Sequence, residues 1–444
     1  MSETLHAIAP RAIKLFDRIA WDVAPAQPTR HCTLATTGAT MTADLHTTSP
    51  TAPLTIPPTA QDGGHTLLPW LRQMRDEHPV WRDAYDIWHV FRYADVARVI
   101  SDPQVFSSDT ARVVPAAQRL SAGNLLLTDP PRHHQLRRLV GAAFSPKVIT
   151  GLAARITEVT HELLDATGGA TEFDLITALA YPLPVTVIAE LLGLPACDRE
   201  LFRTWADKLL TALDAADPND PQLTRKIDEA TADMLAYLHE HCVDRRDHPR
   251  EDLISRLATV EADGQRLTDE EVVNFSVVLL IAGHITTTAL LGNTVLCLDA
   301  HPQAQAELHA DRSLVEATLE EVLRYRSSFT QVVRVTTAET ELGGQTIPAD
   351  ALISPWLLSA NRDEREFPHP DRFDIHRCPN RHLAFGHGIH FCIGQLLARV
   401  EARIAVGVLL DRYTEIRLTP GIPLAFYGGG IFAARNIPVA VRHA

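Results

Sequence analysis

The order of apolar and polar residues along the chain predicts a protein built mainly from α-helices. Apolar residues recur three and four positions apart in segments that we expect to form helices, namely 67–75, 93–100, 151–164, 175–192, 199–213 and 223–241. Strand-like runs are shorter and fewer, at 87–91, 331–335, 351–355 and 438–441. Prolines near 217–221 and 248–249 interrupt helices without the composition of an interdomain linker. The pattern therefore predicts one mainly α-helical domain with small β-sheets.

The most apolar segment of the chain, 274–296, is long enough to raise the question of a membrane span. A glycine, a histidine and three successive threonines interrupt it, so we interpret it as the core helix of a protein without a membrane anchor. The interruption contains the run Ala282-Gly283-His284-Ile285-Thr286. Small residues followed by a hydroxyl leave room beside the helix for a small ligand and water. The alternative is that the threonines only bond to carbonyl groups of their own helix.

Composition and charge narrow the class of function. The 444 residues are 45% hydrophobic, which is ample for a large core, and 55 acidic against 41 basic residues give a net charge of −14. This balance argues against general nucleic-acid binding. The six cysteines are scattered, with no close pair that indicates a disulfide framework or a zinc site. We therefore expect a protein of the reducing cytoplasm.

The first 60 residues differ from the rest of the chain. The stretch 33–58 is rich in Thr, Ala and Pro and has little apolar periodicity, so we expect residues 1–60 to be a flexible leader before one domain at 61–444. Met41 lies inside this leader, and translation that begins there would remove most of it. A partner-binding arm is the alternative interpretation. No signal peptide is indicated, because a cationic start followed by an apolar run is missing.

The strongest chemical signal is a single cysteine in a glycine-rich loop, Phe385-Gly386-His387-Gly388-Ile389-His390-Phe391-Cys392-Ile393-Gly394. Glycines allow the backbone to approach a flat ligand closely, and a soft thiolate suits axial ligation of haem iron. The helix predicted after this loop points its N-terminus at the sulfur, which lowers the pKa of a thiol. The alternative for an isolated cysteine is a buried structural role. The whole ten-residue pattern favours the ligand.

This loop resembles the haem loop of the cytochrome P450 family, and the resemblance extends over residues 67–441. It implies the single-domain P450 fold, in which haem lies between a long distal helix and a proximal helix that follows the cysteine loop. Cys392 would then be the axial ligand of haem b, with Phe385, Gly386 and Gly394 around the cofactor. The activity implied is that of a haem-dependent monooxygenase.

Two further segments carry the same resemblance on the proximal side. Glu321 and Arg324 stand at i and i+3 of one predicted helix, where an acid and a guanidinium can pair. In the family this pair joins a second arginine from a later loop to fix the segment behind the haem. The position that matches this second arginine is Arg372, in Phe367-Pro368-His369-Pro370-Asp371-Arg372-Phe373.

The resemblance also implies which residues bind the two haem propionates. His133 and Arg137 match the family's histidine and arginine, and Arg334 and His390 fill the remaining positions. Compact positive charge and N–H donors are what two carboxylates need. The family usually has an acid at the position of Arg132, and we expect this difference to affect only the surface.

On the distal side, the resemblance assigns Ala282, Ile285 and Thr286 to the helix that crosses the other face of the haem. In the family, the threonine at the position of Thr286 donates hydrogen bonds to iron-bound oxygen. Most relatives have Asp or Glu where this chain has Ile285, and that carboxylate usually relays protons. Without it, we expect protons to arrive through ordered water, through Thr286 itself or through hydroxyl groups of the substrate.

The distal segment, together with Glu-Glu-Val-Leu-Arg-Tyr-Arg at 320–326, is similar to family members that hydroxylate macrolide intermediates of the erythromycin type. This similarity implies a small-molecule substrate of the macrolide or polyketide class, which is hydroxylated or epoxidised with O2. The resemblance assigns the substrate roof to 105–124, 213–222, Ala282, Ile285, Val332, Val333, Ile431 and Phe432.

The source of electrons follows from what the sequence does not contain. No glycine run fits a flavin or nicotinamide fingerprint, so we expect a separate ferredoxin with its reductase. A basic patch with Arg137, Arg138 and Arg399 would receive an acidic ferredoxin. We expect a monomer. A haem-thiolate protein that binds or senses a ligand without turnover and a peroxide-driven oxygenase are the alternatives, and the first stays open because of Ile285.

Overall fold

A computed structural model of the chain describes residues 56–114, 123–198, 201, 202, 204, 205, 208, 221–262 and 264–444. Most of the predicted leader, most of the predicted helix 199–213 and the roof segments 115–122 and 213–220 lie outside these residues. Within them, helices predominate over strands, as the spacing of apolar residues predicts.

The helices follow the predicted order with shifted ends. The α-helices of the described residues are α1 (Leu67–Glu77), α2 (Tyr93–Ser101), α3 (Arg132–Ala143), α4 (Pro146–Gly151), α5 (Ala153–Asp165), α6 (Pro182–Leu192), α7 (Pro221–Asp247), α8 (Leu253–Thr259), α9 (Asp269–Ala300), α10 (Pro302–Ala310), α11 (Val315–Tyr325), α12 (Leu357–Ala360) and α13 (Gln395–Arg412). The helix predicted at 175–192 is divided, because a π-helical segment at Ile176–Ala180 precedes α6. Pro182 begins α6, where its missing N–H costs no helical hydrogen bond.

The strands are short and pair across long stretches of sequence. Those of the described residues are β1 (Val80–Arg82), β2 (Trp88–Val90), β3 (Phe106–Ser107), β4 (Glu172–Asp174), β5 (Glu261–Ala262), β6 (Gln265–Arg266), β7 (Arg334–Thr336), β8 (Thr340–Leu342), β9 (Gln345–Ile347), β10 (Leu352–Pro355), β11 (Tyr413–Leu418) and β12 (Pro438–His443). One sheet has the order β1-β2-β10-β7-β3, and a second has the order β11-β12-β4. Strands β2 and β10 are parallel, with Ile353 opposite Trp88.

Helix α9 forms the centre of the molecule and packs against α6, α7, α11 and α13. Thr268 and Glu271 form a capping box at its start, which satisfies the N–H groups that have no partner within the helix. The helix is long and apolar enough to cross a membrane, but 72% of its most apolar window is buried inside the protein. A Cβ atom at Gly283 would lie 2.4 Å from Ile188, so glycine permits α9 to approach α6 this closely. These contacts fit the predicted core helix.

One main core joins the elements and positions the cysteine loop. The largest cluster of buried apolar side chains extends in sequence from Leu125 to Val441, so the described elements form one domain. Helix α13 packs against α5, α9 and α11. It begins at Gln395, directly after the glycine-rich loop. The start of α13 therefore presents this loop at a fixed place beside the core.

Candidate active site

The loop before α13 holds Cys392 in a defined position. Gly386 and Gly388 both have φ of 70°, a backbone conformation that favours glycine. A Cβ atom at Gly388 would lie 2.9 Å from the Cα of Ser101, so a larger residue would also collide with α2. The N–H of Cys392 donates to the carbonyl of Phe385 at 2.9 Å and closes the loop. The Cys392 residue is half-buried at the start of α13.

Two opposing influences act on the Cys392 sulfur. Burial raises the pKa of the thiol, whereas the backbone N–H groups of Gly394 and Gln395 and the charges of Arg137 and Arg399 lower it. The helix start lowers the pKa of the thiol as expected, but burial is the larger influence, so the pKa in the protein alone is raised. The predicted helix amides are nevertheless directed at the sulfur, where they can stabilise a thiolate.

The structure brings together the four residues expected at the haem propionates. The ring centroids of His133 and His390 are 4.4 Å apart, and Nη2 of Arg137 donates to the carbonyl of Phe391 at 2.7 Å. Burial, together with the charge of Arg137, lowers the pKa of His133 to about 4. Burial and the charge of Arg334 lower that of His390 to about 3, and burial lowers that of Arg334 to about 10. Burial and the nearby arginine charges thus disfavour protonation of the two histidine rings, and a bound anion would favour positive charge in this cluster.

The donors of this cluster fit two carboxylates. Among the described residues, neither buried ring nitrogen of His133 has a hydrogen-bond partner, and Nη1 of Arg334 donates to the adjacent Val333 carbonyl at 2.7 Å. Buried polar atoms normally have partners, so these donors indicate a ligand. A hydrogen bond of 2.8 Å between Oγ of Ser108 and Nε2 of His390 holds the second ring. Ser108 has no motif around it, and its role could not be predicted from the sequence.

On the distal helix, Thr286 bonds within its own helix. Its hydroxyl donates to the carbonyl of Ala282 at 2.7 Å, which is the alternative that the sequence left open. The two oxygen lone pairs of this hydroxyl stay available to accept a further hydrogen bond. Ile285 packs against the apolar cluster of Ala289, Ile431 and Ala433. Position 285 therefore contributes apolar contact and no polar group for proton relay.

The neighbouring His284 lies on another face of α9. It is 1% exposed, and its ring packs edge-on against that of Tyr181 with centroids 4.3 Å apart. Burial lowers its pKa to about 3, so the ring is neutral at physiological pH. This histidine belongs to the interface of α9 with the segment before α6.

The prediction that Phe432 contributes to the substrate roof is wrong. Phe432 is fully buried, with its ring 4.2 Å from the guanidinium carbon of Arg326 and directly below Gly64. It therefore packs in the core and does not line a substrate site. Phe329, which pairs through its backbone with Ile431, is 38% exposed. The sequence around it gives no signal for this exposure.

The acid and arginine of α11 form the predicted pair, but its third member is different. Arg324 donates to both oxygens of Glu321 at 2.8 Å. Nε of Arg377 lies 3.1 Å from the same carboxylate, so Arg377 takes the place expected for Arg372. The side chain of Arg372 is exposed, and only its carbonyl accepts from Arg324 and Arg377. The prediction of Arg372 is wrong because the loop turns its backbone, not its side chain, toward the pair.

Arg132 also differs from expectation. Its guanidinium donates to the carboxylate of Glu271, the capping residue of α9, and to Oε1 of Gln135 at 3.0 Å. The other oxygen of Glu271 accepts from the N–H of Thr268 at 3.0 Å. Arg132 thus joins the start of α3 to the start of α9. The expectation of a purely surface consequence is wrong, since the partner carboxylate is only 10% exposed and joins two helices.

Arg399, expected in a basic patch, is held by neighbours on the proximal side. Its Nε donates to Glu320 at 2.6 Å, and its guanidinium carbon lies 4.4 Å from the ring centroid of Phe385. Burial alone would raise the pKa of Glu320, but Arg399 and His382 outweigh it and lower this pKa to about 2. The arginine therefore fixes the first residue of the cysteine loop as well as contributing positive charge.

Comparisons with known proteins agree with this geometry. A family model described as "Cytochrome P450" matches residues 77–420. The chain is 45% identical over 394 residues to cyclomarin C epoxidase CymV of Salinispora arenicola, which covers 88% of this chain and 99% of that protein. It is 48% identical over 352 residues to the erythromycin C-12 hydroxylase of Saccharopolyspora erythraea, covering 79% of this chain and 88% of that protein. The ligand-free structure of cytochrome P450 TbtJ1 has a TM-score of 0.81 at 50% identity and covers 86% of this chain and 99% of that one.

Proposed function

The chain belongs to the cytochrome P450 family and is a haem-dependent monooxygenase; from this premise we propose that it hydroxylates or epoxidises a secondary metabolite of the macrolide or related polyketide type. The observation that carries the proposal is the 48% identity to the erythromycin C-12 hydroxylase. The 45% identity to an epoxidase keeps epoxide formation within the proposal.

Cys392 is proposed to bind the iron of haem b, and His133, Arg137, Arg334 and His390 its two propionates. The buried ring nitrogens of His133, which have no hydrogen-bond partner among the described residues, and the positive charges of the arginines beside both histidines support this assignment. When bound, the haem supplies activation of O2 and transfer of one oxygen atom to carbon. The amides of Gly394 and Gln395 and the charges around the sulfur would stabilise the thiolate that iron binding requires, against the opposing effect of burial.

Phe385, Gly386 and Gly394 are proposed to shape the proximal face of the cofactor site. Gly394 lies against the sulfur, since a Cβ atom there would be in van der Waals contact with Sγ of Cys392, at 3.9 Å. Contact with Arg399 holds the Phe385 ring in place. Glu321 and Arg324, with Arg377 in place of Arg372, would keep the segment behind the loop rigid.

Protons for the distal side are proposed to come through Thr286, ordered water and hydroxyl groups of the substrate. Thr286 commits its own proton to Ala282, so it can accept a hydrogen bond from water or substrate at the same time. Ile285 contributes only apolar contact. We expect Thr286→Ala to lower the product formed per NAD(P)H consumed about tenfold, with Ala289→Gly, a small change in the same helix, as the control. Unchanged coupling would remove Thr286 from proton delivery.

Members of this family receive electrons from a redox partner, and we propose a ferredoxin with its reductase. Arg137, Arg138 and Arg399 supply positive charge on the cysteine side that suits an acidic partner. We further propose a cytoplasmic monomer. Product formation with a ferredoxin system against hydrogen peroxide tests the electron source, since product with peroxide alone would contradict the ferredoxin.

The decisive experiment addresses the cofactor and the substrate separately. The purified protein should give the reduced carbon monoxide spectrum of a thiolate-bound haem, and Cys392→Ser should lose it while the control Cys378→Ser keeps it. Candidate macrolides should then shift the ferric haem from low spin to high spin and yield products one oxygen atom heavier. A thiolate spectrum without a response to any macrolide would overturn the substrate class but not the family.

A further inference from the structure

Ser328 makes a hydrogen bond to the distal helix at the residue proposed to handle protons. Its hydroxyl donates to the carbonyl oxygen of Thr286 at 3.0 Å. Ser328 is 9% exposed and lies between α11 and β7, so the contact is shielded from bulk water. In an α-helix the carbonyl of Thr286 already accepts from the N–H of Leu290. The Ser328 hydroxyl is therefore a second donor on the same oxygen.

The segment that carries Ser328 is itself firmly attached. The N–H of Phe432 donates to the Ser328 carbonyl at 2.9 Å, and the N–H of Thr330 donates to the Gly430 carbonyl at 2.8 Å. Between them, Phe329 pairs with Ile431. This short ladder gives the hydroxyl of Ser328 a rigid base from which to hold the helix.

A second attachment lies along the same helix. The side-chain amide of Asn293 donates to the carbonyl of Arg326 at 3.0 Å and to that of Phe432 at 2.8 Å. Helix α9 is thus bound to both segments at Asn293 and, about two turns earlier, at Thr286. Ile285, just before Thr286, and Ala289, between the two points, belong to the apolar packing around Ile431.

We infer, on the premise of the proposed role of Thr286, that Ser328 is a positioning residue for proton delivery. Thr286 draws the carbonyl of Ala282 toward its own hydroxyl, and Ser328 draws the carbonyl of Thr286 toward itself. A side chain that joins the hydrogen-bond ladder of a helix bends it locally. Ser328 therefore sets the direction of the Thr286 backbone, and with it the place of a hydroxyl that no carboxylate at position 285 assists.

The test uses one variant that removes the hydroxyl of Ser328, one that retains it and one control variant. Ser328→Ala removes the hydroxyl, and Ser328→Thr retains it. Thr294→Val removes a fully buried hydroxyl of the same helix, which bonds to the carbonyl of Leu290 at 2.7 Å and lies about two helical turns after Thr286. The reduced carbon monoxide spectrum of each variant first establishes that the thiolate-bound haem is retained.

Two measurements follow on the haem-loaded variants. We expect Ser328→Ala to lower the ratio of product to NAD(P)H about two- to tenfold, the effect of one buried hydrogen bond, and to change the solvent isotope effect. Amide exchange of peptides covering 283–291 should rise by a similar factor. Ser328→Thr and Thr294→Val should resemble the wild type in both measurements.

The outcomes separate this inference from the proposed substrate. If no macrolide gives product, the substrate proposal fails, and the amide exchange alone then decides the role of Ser328. Exchange and coupling in Ser328→Ala that equal those of the wild type would overturn the inference. It would also be overturned if Thr294→Val lowered coupling as much, because the effect would then belong to any lost hydroxyl.

Discussion

At the scale of single residues, the site shows how burial and hydrogen bonding oppose each other. Burial raises the pKa of the Cys392 thiol, and the amides at the start of α13 lower it by a smaller amount. The sequence predicted those amides because a helix visibly follows the loop. It could not predict the degree of burial, which comes from elements distant in sequence. The same limit applies to Ser108 and Phe329, which carry no motif.

Arg372 and Arg377 allow a test of which arginine completes the pair of Glu321 and Arg324. Arg377→Ala removes a guanidinium that bonds to buried Glu321 and to the Pro368 carbonyl. We expect the free energy of unfolding to fall by about 2–4 kcal/mol, because a buried carboxylate loses a charged partner. Arg372→Ala removes an exposed side chain and keeps its carbonyl, so the expected change is within about 0.5 kcal/mol.

Urea unfolding of the haem-loaded protein measures both variants, with haem content recorded alongside. The sequence predicted that an arginine near this position completes the pair, and only the path of the loop decides which one. Equal losses in the two variants, or a larger loss for Arg372→Ala, would contradict the assignment of Arg377.

At the scale of secondary-structure elements, the start of α9 contacts both the start of α3 and the loop before α3. Glu271 caps its own helix and accepts from Arg132 at the start of α3. A Cβ atom at Gly123 would lie 2.5 Å from the Cα of Glu271, so the loop before α3 also lies flat on this helix end. The residue after Arg132 is His133 of the proposed propionate cluster. The pair therefore links the cofactor cluster to the distal helix through two helix ends.

A double-mutant cycle measures this link. Arg132→Met removes the cation, and Glu271→Gln keeps the capping hydrogen bond while removing the charge. We expect a coupling free energy of about 0.5–1 kcal/mol, since the carboxylate is mostly buried although the arginine is not. Arg132→Glu should destabilise the protein more than Arg132→Met, because it places two carboxylates together.

The control is the pair Arg82 and Asp86, in which both side chains are more than half exposed. Its cycle of Arg82→Met and Asp86→Asn should give a coupling of about 0.3 kcal/mol, as surface pairs do. Thermal unfolding in parallel at low and high salt completes the comparison. Additive effects of Arg132→Met and Glu271→Gln would show that the two helix ends are not coupled.

At the scale of the whole molecule, the sequence predicted the fold class and the family, and both are confirmed. Helices were visible because their apolar spacing is local. Strands such as β3 and β8, with two or three residues each, were not, because their pairing depends on segments far away. The correction at Phe432 has the same origin, since its buried position depends on Gly64 near the other end of the fold.

The folded molecule also encloses a carboxyl that the site does not use. Glu401 lies in α13 and is 1% exposed, and its Oε2 has no hydrogen-bond partner in the part of the chain that the structure describes. Burial raises its pKa from 4.5 to about 8. The folded protein therefore keeps this group protonated at neutral pH, whereas the unfolded chain ionises it. The stability of the whole molecule must then depend on pH.

The sign of this dependence follows from proton binding. Between pH 4.5 and pH 8 the folded state holds a proton at Glu401 that the unfolded state has released. The free energy of unfolding should therefore fall as pH rises, by about 1.4 kcal/mol per pH unit from this group. Glu401→Gln has a similar shape and no proton to lose. Its stability relative to the wild type should grow steadily from pH 5 to pH 8, measured by urea unfolding of the haem-loaded protein.

Glu320→Gln is the matched control. Glu320 lies in α11, which packs against α13, and its pKa is shifted in the opposite direction from that of Glu401. The pKa of Glu320 is lowered to about 2, so the stability it contributes is complete above its ordinary pKa of 4.5 and is lost only as pH falls toward 2. The difference between Glu320→Gln and the wild type should hence stay constant from pH 5 to pH 8. A difference that is equally constant for Glu401→Gln would mean that Glu401 is ionised in the fold, which requires a cation or solvent at Oε2.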